Sequence, residues 1–272
     1  MKKLIYLFIA ACTLAACSDG ENGTSDGRDV YVAGQDENGA AVLWKNGVAQ
    51  KLADNGLAAS VFVSGDDVYV AGHSYSSEHL LSATLWKNGI AQNLSDRAEA
   101  YAVFVSGNDV YVAGNSYLGA TSAILWKNGT PSQLSGGSSA ESVFVSGSDV
   151  YVAGSAGGRA VLWKNGTPQN LSDGTVAYAV FVSGNDVYVA GVVEEFNPGY
   201  RLAAKLWKNG VAQHLANAEN EAVAFSVFVA GNNVYVAGFD ENENGGAILW
   251  KNGVRQNLSG GRGGAAYSVF VK

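Results

Sequence analysis

Cysteine, methionine, histidine and proline are all scarce in this chain of 272 residues, which contains two cysteines, one methionine, three histidines and three prolines. Both cysteines, Cys12 and Cys17, lie near the start. From residue 18 onward the chain therefore has no disulfide and no thiol nucleophile, and packing alone must hold its fold together. The sequence also shows no glycine-rich phosphate loop and no serine–histidine pair in a supporting context. These absences favour a binding protein and leave an enzyme as the alternative.

Positive charge is sparse as well. The chain has 17 lysines and arginines against 24 aspartates and glutamates, a net charge of −7. Six of the lysines recur singly, one in each copy of a repeated LWKNG phrase, so no basic face is formed. Proteins that bind nucleic acid carry such a face. The sequence therefore excludes nucleic acid as a partner.

What the sequence does contain is one unit repeated six times. The phrase DVYVAG begins five times and returns once as NVYVAG, at Asp29, Asp67, Asp109, Asp149, Asp186 and Asn233. The steps between these starts are 38, 42, 40, 37 and 47 residues. Each copy is followed by LWKNG, which accounts for all six tryptophans, and a VFVSG-like phrase centres on Phe62, Phe104, Phe144, Phe181, Phe228 and Phe270. A period of this size indicates a solenoid or a propeller.

The strand count within one unit decides between them. VFV, VYVAG, VLW and the segment after LWKNG read as four short strands, and no helix pattern is present. Asn-Gly between the last two strands is a strong signal for a tight hairpin. Pro131 and Pro168 fall in the fourth strand, which must then be a sheet edge, so VFV is innermost. The sequence predicts an all-β fold, a six-bladed β-propeller of four-stranded antiparallel blades.

The two ends of the repeat region complement each other. The repeats begin at Asp29 with the second strand of a blade, and the chain stops after Ser268–Lys272, a lone copy of the first strand. Pairing of this terminal strand into the first blade removes the two exposed edges that an open array leaves. We therefore predict a closed ring over residues 29–272.

The segment before the repeats reads as a lipoprotein signal. Residues 1–16 have a basic start, an apolar stretch too short to span a membrane, and a small-residue site that resembles a bacterial lipobox. Cys17 is then the lipidated first mature residue, and residues 17–28 form a lipid anchor and a disordered tether. Ser18 after the cysteine resembles sorting to the outer membrane, and Asp19 and Glu21 resemble the export signal of surface-exposed lipoproteins. An ordinary signal peptide with an incidental cysteine is the alternative.

Residues that break the sixfold symmetry are the candidates for a site, because residues shared by all units serve to build the blade. The loops that follow VYVAG vary most in length, and they share one face of the predicted disc with the blade-to-blade connections. On that face, one residue stands before each inner strand: Ala59, Tyr101, Glu141, Tyr178, Phe225 and Tyr267. They form either an aromatic platform for a sugar or apolar ligand, or a plug of the channel.

The longest loop adds a second candidate set: Glu194, Glu195, Phe196, Tyr200 and Arg201. These are either binding residues or ordinary solvated loop residues.

Two metal sites are weighed against polar loops. Asp240, Asn242 and Asn244 match the first half of a calcium-loop pattern, but Lys251 stands where the closing glutamate belongs. His73, Glu78 and His79 share one loop without a fixed spacing. We predict that the protein has no cofactor. The exception is Ca²⁺, if Asp240, Asn242 and Asn244 form a calcium site.

The order of the repeated phrases resembles the kelch-type propeller blade, with its double glycine reduced to Ala-Gly and its arginine absent. LWKNG followed by a polar segment and leucine is closer to the extracellular HAF-type repeat. The resemblance implies a propeller and is silent on activity. We expect a lipid-anchored binding module for a glycan or protein partner. The alternatives are a propeller enzyme that cleaves polysaccharides or esters, with carboxylates or a metal at the channel mouth, and a structural component of an envelope complex.

Overall fold

The protein is described by a computed structural model that covers residues 10–11, 29–195, 201–216, 221–241 and 246–271. All elements in these ranges are strands, and no helix occurs among them. The predicted signal, Cys17 and the tether lie outside the described residues, apart from Ala10 and Ala11.

The strands are numbered in chain order, and β1 is Ala10–Ala11. Sheet 1 contains β2 (Tyr31–Gln35), β3 (Ala41–Lys45) and β4 (Val48–Ala53). Sheet 2 contains β5 (Gly56–Ser64), β6 (Asp67–Tyr75), β7 (Leu81–Lys87) and β8 (Ile90–Asp96). Sheet 3 contains β9 (Ala98–Ser106), β10 (Asp109–Ser116), β11 (Ser122–Lys127) and β12 (Thr130–Gln133). Sheet 4 contains β13 (Ser139–Ser146), β14 (Asp149–Ala156), β15 (Arg159–Lys164) and β16 (Thr167–Asn170). Sheet 5 contains β17 (Val176–Ser183), β18 (Asp186–Glu195), β19 (Arg201–Lys208) and β20 (Val211–His214). Sheet 6 contains β21 (Ala222–Ala230), β22 (Asn233–Asp240), β23 (Gly246–Lys251) and β24 (Val254–Arg262).

Each sheet from 2 to 6 is an antiparallel meander, as the repeat predicts, and β1 adds a short parallel pairing to β5. The VFV strands β5, β9, β13, β17 and β21 lie side by side from one sheet to the next. The fourth strands that carry Pro131 and Pro168 are sheet edges. In the Asn-Gly turns both residues have positive φ, for example 52° at Asn88 and 81° at Gly89. The all-β prediction and the inner-to-outer strand order are confirmed, and the arrangement is consistent with a propeller.

The sheets pack face to face in a repeated way. Tyr69 and Leu85 of sheet 2 pack against Val112 and Trp126 of sheet 3 in one apolar cluster. The same Tyr/Leu face meets the same Val/Trp face at the interfaces that join sheets 3 and 4, 4 and 5, and 5 and 6. Five of the six tryptophans are at most 1% exposed as a result: Trp86, Trp126, Trp163, Trp207 and Trp250. The core is thus divided into layers between neighbouring sheets.

A polar clasp recurs at the opposite end from the variable loops. In sheet 2 the Asp67 carboxylate accepts one hydrogen bond from Asn88 Nδ2, at 2.8 Å. It also forms a salt bridge with Lys87 Nζ, at 2.7 Å. The ammonium group of Lys87 also lies 5.2 Å from the ring centre of Tyr69. Bonding to Lys87, and then to Asn88, lowers the pKa of Asp67. Sheets 1 to 5 all carry this aspartate, whereas sheet 6 has Asn233 in its place.

Closure of the ring by the terminal strand is not confirmed. Residues 264–271 are outside any strand, and no ladder in the described ranges joins them to β2. They nevertheless lie beside sheet 6, where Val269 N donates to Ser226 Oγ at 3.2 Å and the rings of Phe228 and Phe270 are 4.8 Å apart. Val103 N donates to Ser60 Oγ of the preceding sheet in the same way. The terminal segment therefore occupies the position that the next inner strand takes elsewhere.

Candidate functional site

Each inner strand carries one β-bulge at the end that faces the variable loops. The ladders skip one residue on these strands: Ala59, Tyr101, Glu141, Tyr178 and Phe225. A bulge leaves its extra residue unpaired and re-aims its side chain, and bulges are common next to binding sites. The skipped residues are five of the six predicted at the channel mouth. The sixth, Tyr267, lies in the terminal segment that forms no strand.

The bulge explains the glycine of the VYVAG phrase in sheets 2 to 6. A Cβ on Gly114 would lie 2.0 Å from the carbonyl oxygen of Glu99, and one on Gly72 would lie 1.9 Å from that of Leu57. No real Cβ is found so close to another atom, so any other residue forces the bulged strand away. The repeated Ala-Gly is thus a requirement of the bulge.

Four of the five bulged residues, Ala59, Tyr101, Glu141 and Tyr178, line a cavity of about 370 Å³. Sheets 2, 3, 4 and 5 all contribute to its lining: Leu57, Ala59, His73, Glu99, Tyr101, Tyr117, Ser139, Glu141, Val176, Tyr178 and Glu194. The predicted residues Tyr101, Glu141, Tyr178 and Glu194 are brought together here. Glu99 and Tyr117 were not predicted. The signal for Glu99 was its place two residues before a bulge, since alternate residues of a strand share a face.

A hydrogen-bonded cluster forms one wall. The Oε2 atom of Glu99 accepts hydrogen bonds from the hydroxyls of Tyr101 at 2.5 Å and Tyr117 at 2.7 Å, and the two hydroxyls are 3.1 Å apart. Burial is the main cause that raises the pKa of the Tyr101 hydroxyl, and the interaction with Glu99 is the next. The same two causes raise the pKa of Tyr117 to about 12. Both phenols therefore stay protonated at neutral pH and hold the carboxylate in place.

Glu141 provides the most unusual group. The residue lines the cavity and is only 8% exposed, and its buried Oε2 atom has no hydrogen-bond partner among the described residues. Burial raises its pKa to about 7, helped by the charge of Glu99 and opposed by a hydrogen bond with Ser139. A buried carboxylate without a full set of partners is costly unless something else supplies them. Glu141 is thus poised between its two protonation states near neutral pH.

His73 lies next to this cluster. Its Nδ1 is 3.8 Å from Glu99 Oε1 and has no hydrogen-bond partner of its own. Burial lowers the pKa of the imidazole more than Glu99 raises it, so His73 is neutral at pH 7. Its predicted companions Glu78 and His79 are exposed at the tip of the loop. In the part of the chain that the structure describes, no three His, Cys, Asp or Glu residues are grouped to hold a metal.

An aromatic arc continues the mouth beyond the cavity. The rings of Tyr178 and Phe225 are 5.6 Å apart, and those of Phe225 and Tyr267 are 5.1 Å apart. Three residues further along each inner strand, the repeat phenylalanines form a second row with centroid spacings of 4.8 to 5.1 Å. The bulged residues therefore stand above a continuous aromatic layer.

The second predicted set is divided by the structure. Glu194 and Glu195 extend β18, and Arg201 begins β19 opposite Glu195, so the described residues of this segment lengthen the β18–β19 ladder. Glu194 lines the cavity, and its backbone N–H is held by Thr175 Oγ1 at 2.8 Å. Phe196 and Tyr200 lie outside the described residues.

The calcium prediction rests on one described residue. Asp240 is 2% exposed, and its Oδ2 accepts a hydrogen bond from Arg255 Nε at 2.8 Å. Asn242 and Asn244 are outside the described ranges. The carboxylate of Asp240 is thus already engaged by an internal cation, and calcium remains a prediction.

One further buried charge lies away from the cavity. Lys205 is 1% exposed where the other sheets carry Val42, Thr84, Ile124, Val161 and Ile248. Its Nζ lies 2.9 Å from His214 Nε2, and burial lowers its pKa. Lys205 lies on β19 of sheet 5 and is not among the residues that line the cavity.

Comparison with known proteins gives a fold and no activity. No family model and no curated protein matches the chain. Among solved structures, it is similar to the crystal structure of the computationally designed Ika8 protein, with a TM-score of 0.52 and 18% identity over 90% of this chain and 76% of that one. At this identity the likeness concerns the fold alone. Within the described ranges, no helix has the length and apolar character needed to cross a membrane.

Proposed function

We propose that the six sheets form one closed six-bladed β-propeller, in which the terminal segment is the inner strand of sheet 1. Gly34 supports this, because it keeps the repeat glycine although no inner-strand carbonyl lies near it here; its nearest atoms belong to Trp44, at 3.1 Å. The uncovered faces also match. Val32 is 46% exposed on sheet 1, and Tyr235 and Leu249 are only partly buried on sheet 6. These are the two halves of the interface that the other sheets form with each other.

The function we propose is that of a lipid-anchored extracytoplasmic binding module, which recognises a glycan or a glycan-bearing partner through the loop face. The cavity carries this proposal. Small-ligand sites are concave, about 300–1,000 Å³ in volume, and lined by aromatic groups with a few placed polar groups. Tyr101, Tyr117 and Tyr178 supply ring faces and Glu99 supplies fixed acceptors. This combination suits a ring that bears hydroxyl or amino groups.

A glycan array probed with the purified full chain tests the proposal. Tyr178→Ala should remove binding to the recognised glycans, since it deletes one wall of the cavity and leaves the Tyr/Leu and Val/Trp faces of the sheets intact; of the ring contacts between sheets it removes the one with Phe225. Leu118→Ala is the matched control, because Leu118 is 62% exposed on the same face and does not line the cavity. An array without a signal, or a Tyr178→Ala variant that binds as the parent does, contradicts a binding role for the cavity.

An enzyme is the second candidate, and one observation favours it. Glu141 has a pKa of about 7 beside Glu99, and a pair of carboxylates in unlike environments can serve as acid and base. Glycosidases use such pairs to cleave a glycosidic bond. If the array glycans are shortened on incubation and Glu141→Gln stops this, the protein is an enzyme. Unchanged glycans support the binding module.

The anchor is tested separately. We propose that Cys17 carries the lipid that holds the protein at the outer membrane. Cys17→Ser should release the protein from the membrane fraction or block its processing, whereas Cys12→Ser should have neither effect. A Cys17→Ser protein of mature length in the outer-membrane fraction contradicts lipidation.

A further inference from the structure

The cavity at the bulged strand ends has a one-sided charge. Glu99, Glu141 and Glu194 line it, and no lysine or arginine is among its lining residues. Elsewhere in the described chain the aspartates of the clasps each face a lysine within 2.7 Å, for example Asp109 with Lys127. The clasp aspartates thus each have a lysine partner, whereas the three glutamates of the cavity have no lysine or arginine among the lining residues.

The orphan oxygen of Glu141 shows where a partner is missing. Glu141 lines the cavity and is more than nine-tenths buried, and its buried Oε2 receives no hydrogen bond from the described residues. Glu99 lies close enough to Glu141 for its charge to raise the pKa of that carboxyl. Two carboxylates that repel each other across a cavity are stabilised by a cation placed between them.

The aromatic groups narrow the chemistry of that cation. Tyr101 and Tyr117 direct their hydroxyls at Glu99, and Tyr178 of sheet 5 also lines the cavity, with its ring 5.6 Å from that of Phe225. Ammonium groups are held by aromatic faces together with charge-assisted hydrogen bonds to carboxylates. A metal ion instead needs several oxygen ligands at short range, and no such group of ligands occurs among the described residues.

We propose that the cavity binds a ligand through a protonated amine, which donates hydrogen bonds to Glu141 and Glu99 while the rest of the ligand rests on the tyrosines. This deepens the proposed function and rests on it. The chemistry is shared by two sources, an amino sugar and a small alkyl diamine, and both fit a cavity of about 370 Å³.

The proposal predicts a pH dependence. An ammonium group binds ionised Glu141, whose pKa is about 7. The other titratable groups that line the cavity are His73, Glu99, Glu194 and the tyrosines. Burial raises the pKa of the Tyr101 and Tyr117 hydroxyls and lowers the pKa of His73, so the change of charge expected on going from pH 8 to pH 6 is that of Glu141. Affinity for an alkylammonium ion, which keeps its charge throughout, should therefore fall about tenfold from pH 8 to pH 6.

Isothermal titration of the full chain in mild detergent provides the test. One arm compares 1,4-diaminobutane with 1,4-butanediol, and the other compares glucosamine with N-acetylglucosamine at pH 6.5. We expect the amine of at least one pair to bind more than tenfold more tightly than its neutral counterpart, and the arm that responds identifies the source. Glu141→Gln should weaken this binding at least tenfold and abolish its pH dependence. Glu78→Gln is the control, since it removes the same charge from the same face outside the cavity.

Other outcomes separate this inference from the proposed function. If N-acetylglucosamine binds as tightly as glucosamine, or if neutral glycans alone bind on the array, the amine inference is wrong and the binding module stands. An affinity that Glu141→Gln leaves unchanged also contradicts the inference. If no probe binds and the array has no signal, both proposals fail.

Discussion

Sheet 1 and sheet 2 are built from the same sequence unit, yet their surroundings differ. Val70 of sheet 2 is 1% exposed, whereas its counterpart Val32 in sheet 1 is 46% exposed. Trp86 is likewise buried, and Trp44 is only partly buried. Sheet 2 has an inner strand and a preceding sheet against its Val/Trp face, whereas in the described part of the chain β2 pairs only with β3 and Val32 is exposed. The difference teaches that a unit of this repeat is not an independent structure, because a large part of its core belongs to its neighbours.

The largest effect is expected when the missing piece is removed altogether. Deletion of residues 268–272 leaves β2 without the proposed partner and exposes the Phe228 ring that Phe270 contacts. Each apolar side chain that loses its cover costs about 1.5–3 kcal/mol, a large share of a domain's net stability. An unpaired apolar edge also promotes aggregation. Size-exclusion chromatography and limited proteolysis should show aggregated or protease-sensitive protein.

Removal of residues 18–26, in the predicted tether, is the control for that deletion and should leave the elution profile unchanged. If the protein without residues 268–272 stays monomeric with the same melting temperature, the terminal segment does not close the ring.

A disulfide would convert sheet 1 into a sheet like the others. By the register of sheet 2, where Val61 faces Val70, closure places Val269 opposite Val32. With Cys12 and Cys17 replaced by serine, Val32→Cys and Val269→Cys should therefore form a disulfide on oxidation and stabilise the protein by about 2–4 kcal/mol. Non-reducing electrophoresis and chemical denaturation measure the two effects. The pair Val48→Cys and Val269→Cys should not cross-link, and cross-linking of both pairs equally would contradict the register.

Glycine substitution compares the two sheets directly. Gly72→Ala places a Cβ against the carbonyl oxygen of Leu57, so we expect a loss of about 1–3 kcal/mol in the free energy of unfolding. Gly34→Ala should cost the same if an inner strand covers sheet 1 in solution. If the ring is open, Gly34→Ala meets only the Trp44 ring and should be nearly neutral. Urea denaturation of the two variants side by side distinguishes these outcomes.

The smallest effect concerns sheet 6, where Asn233 replaces the clasp aspartate. Asn233→Asp should add an ion pair with Lys251, which already lies 5.5 Å from the ring centre of Tyr235. Exposed pairs of this kind contribute at most about 1 kcal/mol, so a shift of a few degrees in melting temperature is the upper limit. The gain should disappear in high salt and at acidic pH, where the aspartate is protonated. A gain that persists in 1 M salt would show that the clasp works through packing instead.

Much of the fold was predictable because its determinants are local. Asn-Gly needs two residues at positive φ, and Pro131 needs a sheet edge, so turns and strand order follow from short phrases. The bulged residues could be selected as candidates since Tyr101, Glu141 and Tyr178 differ at one position of the repeat. The VFVSG-like phrase does not indicate that these residues form β-bulges. The glycine of VYVAG, which faces the bulge on the neighbouring strand, was the one sign of it.

The cavity was less predictable because it depends on what four sheets bring together. The buried Oε2 of Glu141 has no hydrogen-bond partner among the described residues, and no local sequence pattern records whether surrounding strands supply one. The Glu99 cluster combines a strand residue with Tyr117 from the next hairpin, whose length differs from copy to copy. Lys205 shows the same limit, since a lysine in a variable sequence predicts exposure and the structure buries it.

The bulge has a consequence for how this molecule can change. Because the extra residue takes no part in the ladder, the strand pairing does not depend on its identity, and alanine, tyrosine, glutamate and phenylalanine all occur at this position. Each copy of the repeat thus has one position at which the residue can be substituted without a change in the pairing of its sheet. A library that varies only residues 59, 101, 141, 178 and 225 would sample new recognition surfaces on an unchanged frame. Variants that recognise different ligands could then be selected from this library. Substitution at the same position of each duplicated repeat is also a way in which such a protein can evolve a new specificity.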